Sequence, residues 1–168
     1  QVGLVGSEMC IRDSYKIDWK CFLDIKMLLP DINNLKIALI GIGYVGLPLA
    51  MQFAKKKRCL RSNKKIIREV IAFDIDKERI NELNNGFDRT NEFTNEMLLR
   101  SKKVKFTSEI NDIYTSDVFI ITVPTPINRN NEPDLRFIKK ASTDIGIIIK
   151  KRREYSDEDQ SIPIIIFE

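Results

Sequence analysis

Apolar residues in this chain fall into short blocks separated by polar segments punctuated with glycine and proline. Leu35-Lys36-Ile37-Ala38-Leu39-Ile40 is such a block, short and β-rich, and it gives way at Gly41 to residues 44–57, whose pattern predicts a helix. Glu69-Val70-Ile71-Ala72-Phe73-Asp74 repeats the strand pattern, apolar until it closes on an acid. Residues 76–85 carry Ile80 and Leu83 at helical spacing and end at Gly86, a residue suited to helix termination. Residues 94–100 predict another short helix. Lys103-Val104-Lys105-Phe106-Thr107 predicts a third strand, with Ser108 placed to cap the turn after it. The fourth, residues 117–123, is apolar in the manner of a sheet covered on both faces, and Pro124-Thr125-Pro126 breaks it. Asp134 opens a helix to about residue 150. The charged residues 150–160 read as an insertion before a fifth strand over 162–168.

Strands alternating with helices predict an α/β fold with a doubly wound parallel sheet, in the order 3-2-1-4-5 with right-handed crossovers. Between the first strand and its helix stand Gly41, Gly43 and Gly46, a G-x-G-x-x-G spacing. In that setting the spacing is the phosphate-binding turn of a Rossmann-like dinucleotide fold. Gly41 permits the tight turn, Gly43 lets a pyrophosphate approach the backbone, and Gly46 lets the helix pack on the strand. The helix N-terminus then offers unpaired N–H groups and the positive end of its dipole. Asp74 closes the second strand where a carboxylate meets the adenosine ribose, and with Asp76 nearby it favours NAD over NADP. Its alternative role is to cap the helix that begins near Lys77. Asp74 comes 28 residues after Gly46, against a usual spacing of about 20, and the excess falls in residues 55–65, read as a polar insertion forming a loop between helix and strand.

A chain of 168 residues with 43% hydrophobic content can bury one ordinary domain core, but not a dinucleotide domain plus a full substrate domain. The net charge of +4 does not point to nucleic acid, because the basic excess sits in residues 55–65 without interleaved aromatics. No apolar stretch reaches the roughly 18 residues of a membrane span, and the first residues lack an export-signal pattern. The segment 5–14 resembles translated sequencing adapter, so that residues 1–34 read as an unstructured, partly non-native extension with Met27 as the native start. Cys10, Cys21 and Cys59 have no metal-ligand spacing, and the chain has no histidine. A metal site and imidazole base catalysis are therefore not expected, and free thiols suggest a cytoplasmic protein.

The run Ile40-Gly41-Ile42-Gly43-Tyr44-Val45-Gly46-Leu47-Pro48, with Phe73-Asp74-Ile75-Asp76, Arg79-Ile80, Leu83-Asn84-Asn85-Gly86, Phe106-Thr107-Ser108 and Val123-Pro124-Thr125-Pro126, resembles the UDP-glucose/GDP-mannose dehydrogenase family over about residues 35–168. Asp88-Arg89-Thr90 and the phrase running from Ile121 to Asn128 are most similar to its N-acetylhexosamine branch, which serves surface polysaccharide synthesis. The resemblance implies an NAD-dependent enzyme that oxidises C6 of a UDP-sugar to a uronic acid. It implies that Gly41, Gly43 and Gly46, with the backbone of Tyr44 and Val45, hold the pyrophosphate. By the same resemblance Asp74 binds the ribose, Arg79 lies at the adenosine end (or is a solvated helix arginine), and Val123, Pro124 and Thr125 line the nicotinamide side. Thr125 also matches a threonine that orders water near the reacting carbon, and Glu168 the first residue of an E-S-T-V element that closes over the nicotinamide. The family's nucleophilic cysteine and its helpers belong to later domains, so this segment is expected to be inactive alone, with the full-length protein a homodimer. Two other readings share the glycine turn: a β-hydroxyacid or 6-phosphogluconate type dehydrogenase, and a non-catalytic nucleotide-binding remnant.

Overall fold

A computed structural model describes residues 29–31, 33–59, 62–100, 103–127, 131–155 and 161–168. Most of the predicted N-terminal extension, Met27, Cys10, Cys21 and Asn128 lie outside the described residues. Five strands, β1 (Asn34–Ile40), β2 (Ile67–Phe73), β3 (Val104–Thr107), β4 (Val118–Ile121) and β5 (Ile164–Phe167), form one sheet ordered β3-β2-β1-β4-β5. All four pairings are parallel, as expected. The helices are α1 (Gly46–Lys55), α2 (Lys77–Asn84), α3 (Asn95–Arg100) and α4 (Arg136–Tyr155), with a 3₁₀ turn at Ile110–Ile113.

The period of two along each strand divides the core. Ile37 and Leu39 of β1 face a layer built with Leu47, Ala50 and Ala54 of α1, Leu83 of α2 and Leu98 of α3. Ala38 and Ile40 face the opposite layer, where Ala141, Ile145 and Ile148 of α4 pack with Ile113 and Phe119. Central strands buried on both faces explain the near-continuous apolar runs. β5 is the sheet's edge, and its four side chains are exposed.

Two expectations are corrected. Residues 150–155 are not an insertion but the last turns of α4, where Arg152 donates from Nη1 to the Ser116 carbonyl at 2.6 Å. A charged helix surface and a charged loop have the same composition. The 55–65 excess is not a plain loop either: Arg58 and Lys65 form an antiparallel bridge, and Arg58 Nη1 donates to the Asn63 carbonyl. That small hairpin leaves the β1–β2 register unbroken. No helix among the described residues is long and apolar enough to cross a membrane.

Candidate functional site

Strand order reverses at β1, which lies between β2 and β4, so the loops leaving β1 and β4 part from one another and open a crevice at their carboxyl ends. The turn after β1 is built around three glycines with three different constraints. Gly41 has φ +94°, a left-handed conformation, and its N–H donates to the Phe73 carbonyl. A Cβ on Gly46 would fall 2.0 Å from the Gly41 carbonyl oxygen and 2.6 Å from Thr122 Oγ1, so only glycine lets α1 start this close to the turn. A Cβ on Gly43 would meet nothing within 4 Å; it would project into open space. Val45, at the N-cap of α1, provides no side-chain cap, and the first turn contains no acid. The N-terminal dipole and N–H groups are therefore uncompensated by side chains, as an anion site requires.

Asp74, just past β2, points at this turn. Its Oδ2 accepts from the Ile42 N–H at 2.7 Å and its Oδ1 from the Asp76 N–H at 2.9 Å. A carboxylate has about four acceptor positions, so two hydrogen bonds leave capacity for a ligand hydroxyl. The alternative role for Asp74 is overturned: Asp76 caps α2, with its Oδ1 accepting from the N–H groups of Glu78 and Arg79. The Arg79 N–H above all holds the Asp76 carboxyl below the usual range; burial opposes it, and the Arg89 charge and the Glu78 N–H add to the lowering.

Arg79 is not a solvated helix arginine. It is 3% exposed; its Nε donates to the Ile42 carbonyl at 3.0 Å and its Nη2 to Asp88 Oδ1 at 2.7 Å. Asp88 is buried with it and also accepts from the backbone N–H groups of Thr90, Glu92 and Phe93 and from the Thr90 hydroxyl. Burial pushes the Asp88 carboxyl up, but the hydrogen bonds from Thr90 and Arg79 outweigh it and the net shift is downward. A structural role for Asp88 was missed in the sequence, where it served only as a mark of the family branch. Thr122 was missed too: its hydroxyl shares one proton between the carbonyls of Gly41, at 2.7 Å, and Ile40, at 3.1 Å, tying β4 to the glycine turn. A hydroxyl ending an apolar strand beside the breaker Pro124 was the available signal.

These parts surround a cleft of about 830 Å³. Gly41, Gly43, Tyr44, Val45, Asp74, Arg79, Val123, Pro124, Thr125 and Glu168 all line it; Gly46 does not, since it lies behind the turn and acts through packing. Glu168 is held at the rim by its N–H, which donates to the Ile121 carbonyl. α4 contributes a wall, including Lys140 and Asp144, that was not anticipated. Cys59 is not among the lining residues. Among the described residues no group of three His, Cys, Asp or Glu side chains could hold a metal. The cleft fits an extended dinucleotide: its size is that of a cofactor site, its glycine turn leaves room beside Gly43, and a carboxylate stands one strand away from an uncapped helix N-terminus.

The comparisons with known proteins agree. UDP-N-acetyl-D-glucosamine 6-dehydrogenases from Salmonella typhi and Pseudomonas aeruginosa are 46% and 42% identical over 120 residues, covering 71% of this chain and 26% of each relative. The chain thus spans about a quarter of the length of these curated relatives. A solved UDP-D-ManNAc dehydrogenase from Pyrococcus horikoshii superposes with a TM-score of 0.57 at 29% identity, covering 80% of this chain and 28% of that one. Residues 35–156 match the model of the UDP-glucose/GDP-mannose dehydrogenase family, NAD binding domain. With the glycine turn, the acid after β2 and the five-stranded order all in place, this chain belongs to the UDP-glucose/GDP-mannose dehydrogenase family, and those residues are its NAD-binding domain.

Proposed function

We propose that the chain is the cofactor-binding part of a nucleotide-sugar dehydrogenase that oxidises C6 of a UDP-N-acetylhexosamine to the uronic acid. The observation that carries this reading is the uncapped N-terminus of α1 facing the Asp74 carboxylate across a turn whose Gly43 opens onto the cleft. The branch assignment draws on the relatives, whose names specify UDP-N-acetyl-D-glucosamine.

Bound NAD would supply the hydride acceptor; this chain's residues bind and orient it. The backbone around Gly41, Gly43, Tyr44 and Val45 receives the pyrophosphate, with Gly46 keeping α1 in place. Asp74 accepts from the ribose hydroxyls, and its charge repels a 2′-phosphate, which selects NAD over NADP. Val123, Pro124 and Thr125 form the nicotinamide side, where the Thr125 hydroxyl orders a water beside the reacting carbon. Glu168 sits at the rim of the same end. None of these residues supplies the thiol that oxidation of the aldehyde to the acid needs, and Cys59 does not line the cleft, so that step falls to residues other than those described around it. The whole enzyme, on this reading, is a cytoplasmic homodimer.

The test is a fluorescence titration of the folded chain with NADH. Saturable binding is expected, weakened about tenfold by Asp74→Ala, the loss of one charge-assisted hydrogen-bond acceptor. UDP-N-acetylglucosamine with NAD is expected to yield no NADH from this chain. A folded chain that shows no saturable response to NADH would overturn the proposal.

A further inference from the structure

One cation on the cleft wall has no part in the reading above. Arg89 lies in the loop between α2 and α3, lines the cleft together with Asp74, Ile75 and Asp76, and is ion-paired to Asp76. Its guanidinium is gripped from two directions: Nη1 lies 3.0 Å from Asp76 Oδ2, and Nε lies 2.5 Å from Glu82 Oε2. Both contacts fall on the edge of the planar group, which is where its N–H bonds point. They orient the plane, and neither of them engages a face of the group. The side chain keeps 39% of its surface exposed. The loop beneath is fixed by its neighbour Asp88, which accepts from the N–H groups of Thr90, Glu92 and Phe93. Exposed ion pairs contribute little to stability, so holding one arginine with two carboxylates calls for another explanation.

Ile75 supplies the second observation. It is 67% exposed, lines the same cleft, and stands between the acid at the end of β2 and the acid that holds Arg89. An exposed aliphatic side chain and a flat cation thus line one cleft, and these are the two kinds of surface that a planar base packs against.

We propose that Arg89 is the stacking wall for the adenine of the bound dinucleotide, with Ile75 as the apolar wall of the same slot. This rests on the NAD reading: if Asp74 holds the adenosine ribose, the base attached to that ribose lies one sugar away, where Ile75 and Arg89 stand. A guanidinium stacks on an aromatic face through both its plane and its charge. The rival role, a clamp for the 2′-phosphate of NADP, does not suit this charge balance. Asp76 and Glu82 already match the cation, and Asp74 adds a further negative charge.

The test uses the full chain and titrates NADH and ADP-ribose into the parent protein and its Arg89→Ala, Arg89→Lys and Arg89→Trp variants, each checked for an unchanged melting profile. Arg89→Ala is expected to weaken both ligands about tenfold. Arg89→Lys keeps a charge for Asp76 and Glu82 but has no flat face, and is expected to lose as much. Arg89→Trp is expected to restore affinity, with the new indole quenched by ADP-ribose. Full affinity in Arg89→Ala, or recovery in Arg89→Lys without recovery in Arg89→Trp, would overturn the stacking role while leaving NAD binding intact. Absence of NADH binding in the parent protein would overturn both readings, so the two failures are distinguishable.

Discussion

Gly43 and Gly46 differ by what a single methyl group would meet, and that difference separates folding from binding. At Gly46 the methyl runs into the Gly41 carbonyl and the Thr122 hydroxyl, a clash with backbone that no rotamer can relieve. Gly46→Ala is expected to cost about 3 kcal/mol or more of stability, as overpacking does, read as a fall in the urea midpoint. At Gly43 the methyl meets open space. Gly43→Ala is expected to leave the urea midpoint within about 0.5 kcal/mol of the parent while lowering NADH affinity at least about tenfold. Both glycines are visible in the sequence, but their division of labour is not. It depends on how closely the chain just past β4 approaches the turn through Thr122, 81 residues beyond Gly41.

At the scale of the element, α2 and the loop after it act as one unit because Asp88 binds them together. The Arg79–Asp88 pair is buried on both sides, so removing the acid leaves an uncompensated guanidinium. Asp88→Ala is expected to cost about 3–5 kcal/mol, measured by equilibrium unfolding. The native carboxyl titrates below its unfolded value near about 3.9, so between the two values the unfolded chain binds more protons and stability rises with pH. The contribution is fully present above about pH 4 and is lost as pH falls through the lowered native value. The parent chain is therefore expected to lose stability steeply in acid, and Asp88→Ala to show a flatter dependence in the same range. Equal slopes for the two proteins would contradict the assignment. The boundaries of α2 were legible to within a residue, since Asp76 caps its start and Gly86, at φ +78°, follows its end. The burial of Arg79 was not, because its partner comes from a loop with no periodic pattern.

For the whole molecule, the cleft joins the ends of β1, β2 and β4 with a wall of α4, so a ligand that bridges them binds only the folded state. NADH at about a hundred times its dissociation constant is expected to add about 2.7 kcal/mol, a rise in Tm of roughly 5–10 °C for a domain of this size. Differential scanning calorimetry would measure it, and NADP at the same concentration is expected to shift Tm less. The sequence by itself determined the order of elements, the parallel sheet and the glycine turn, because strands buried on both faces and glycines at special backbone positions leave local marks. It also marked Asp74 as the acid facing the turn. Only the tertiary structure decided that α4 runs to Tyr155 and lines the cleft, that Asp76 rather than Asp74 caps α2, and that Arg79 is buried on Asp88. The physical reason is common to all three. A charged or capping side chain carries the same composition whether it meets water or a partner, and which it meets depends on residues that come near only when the chain is folded.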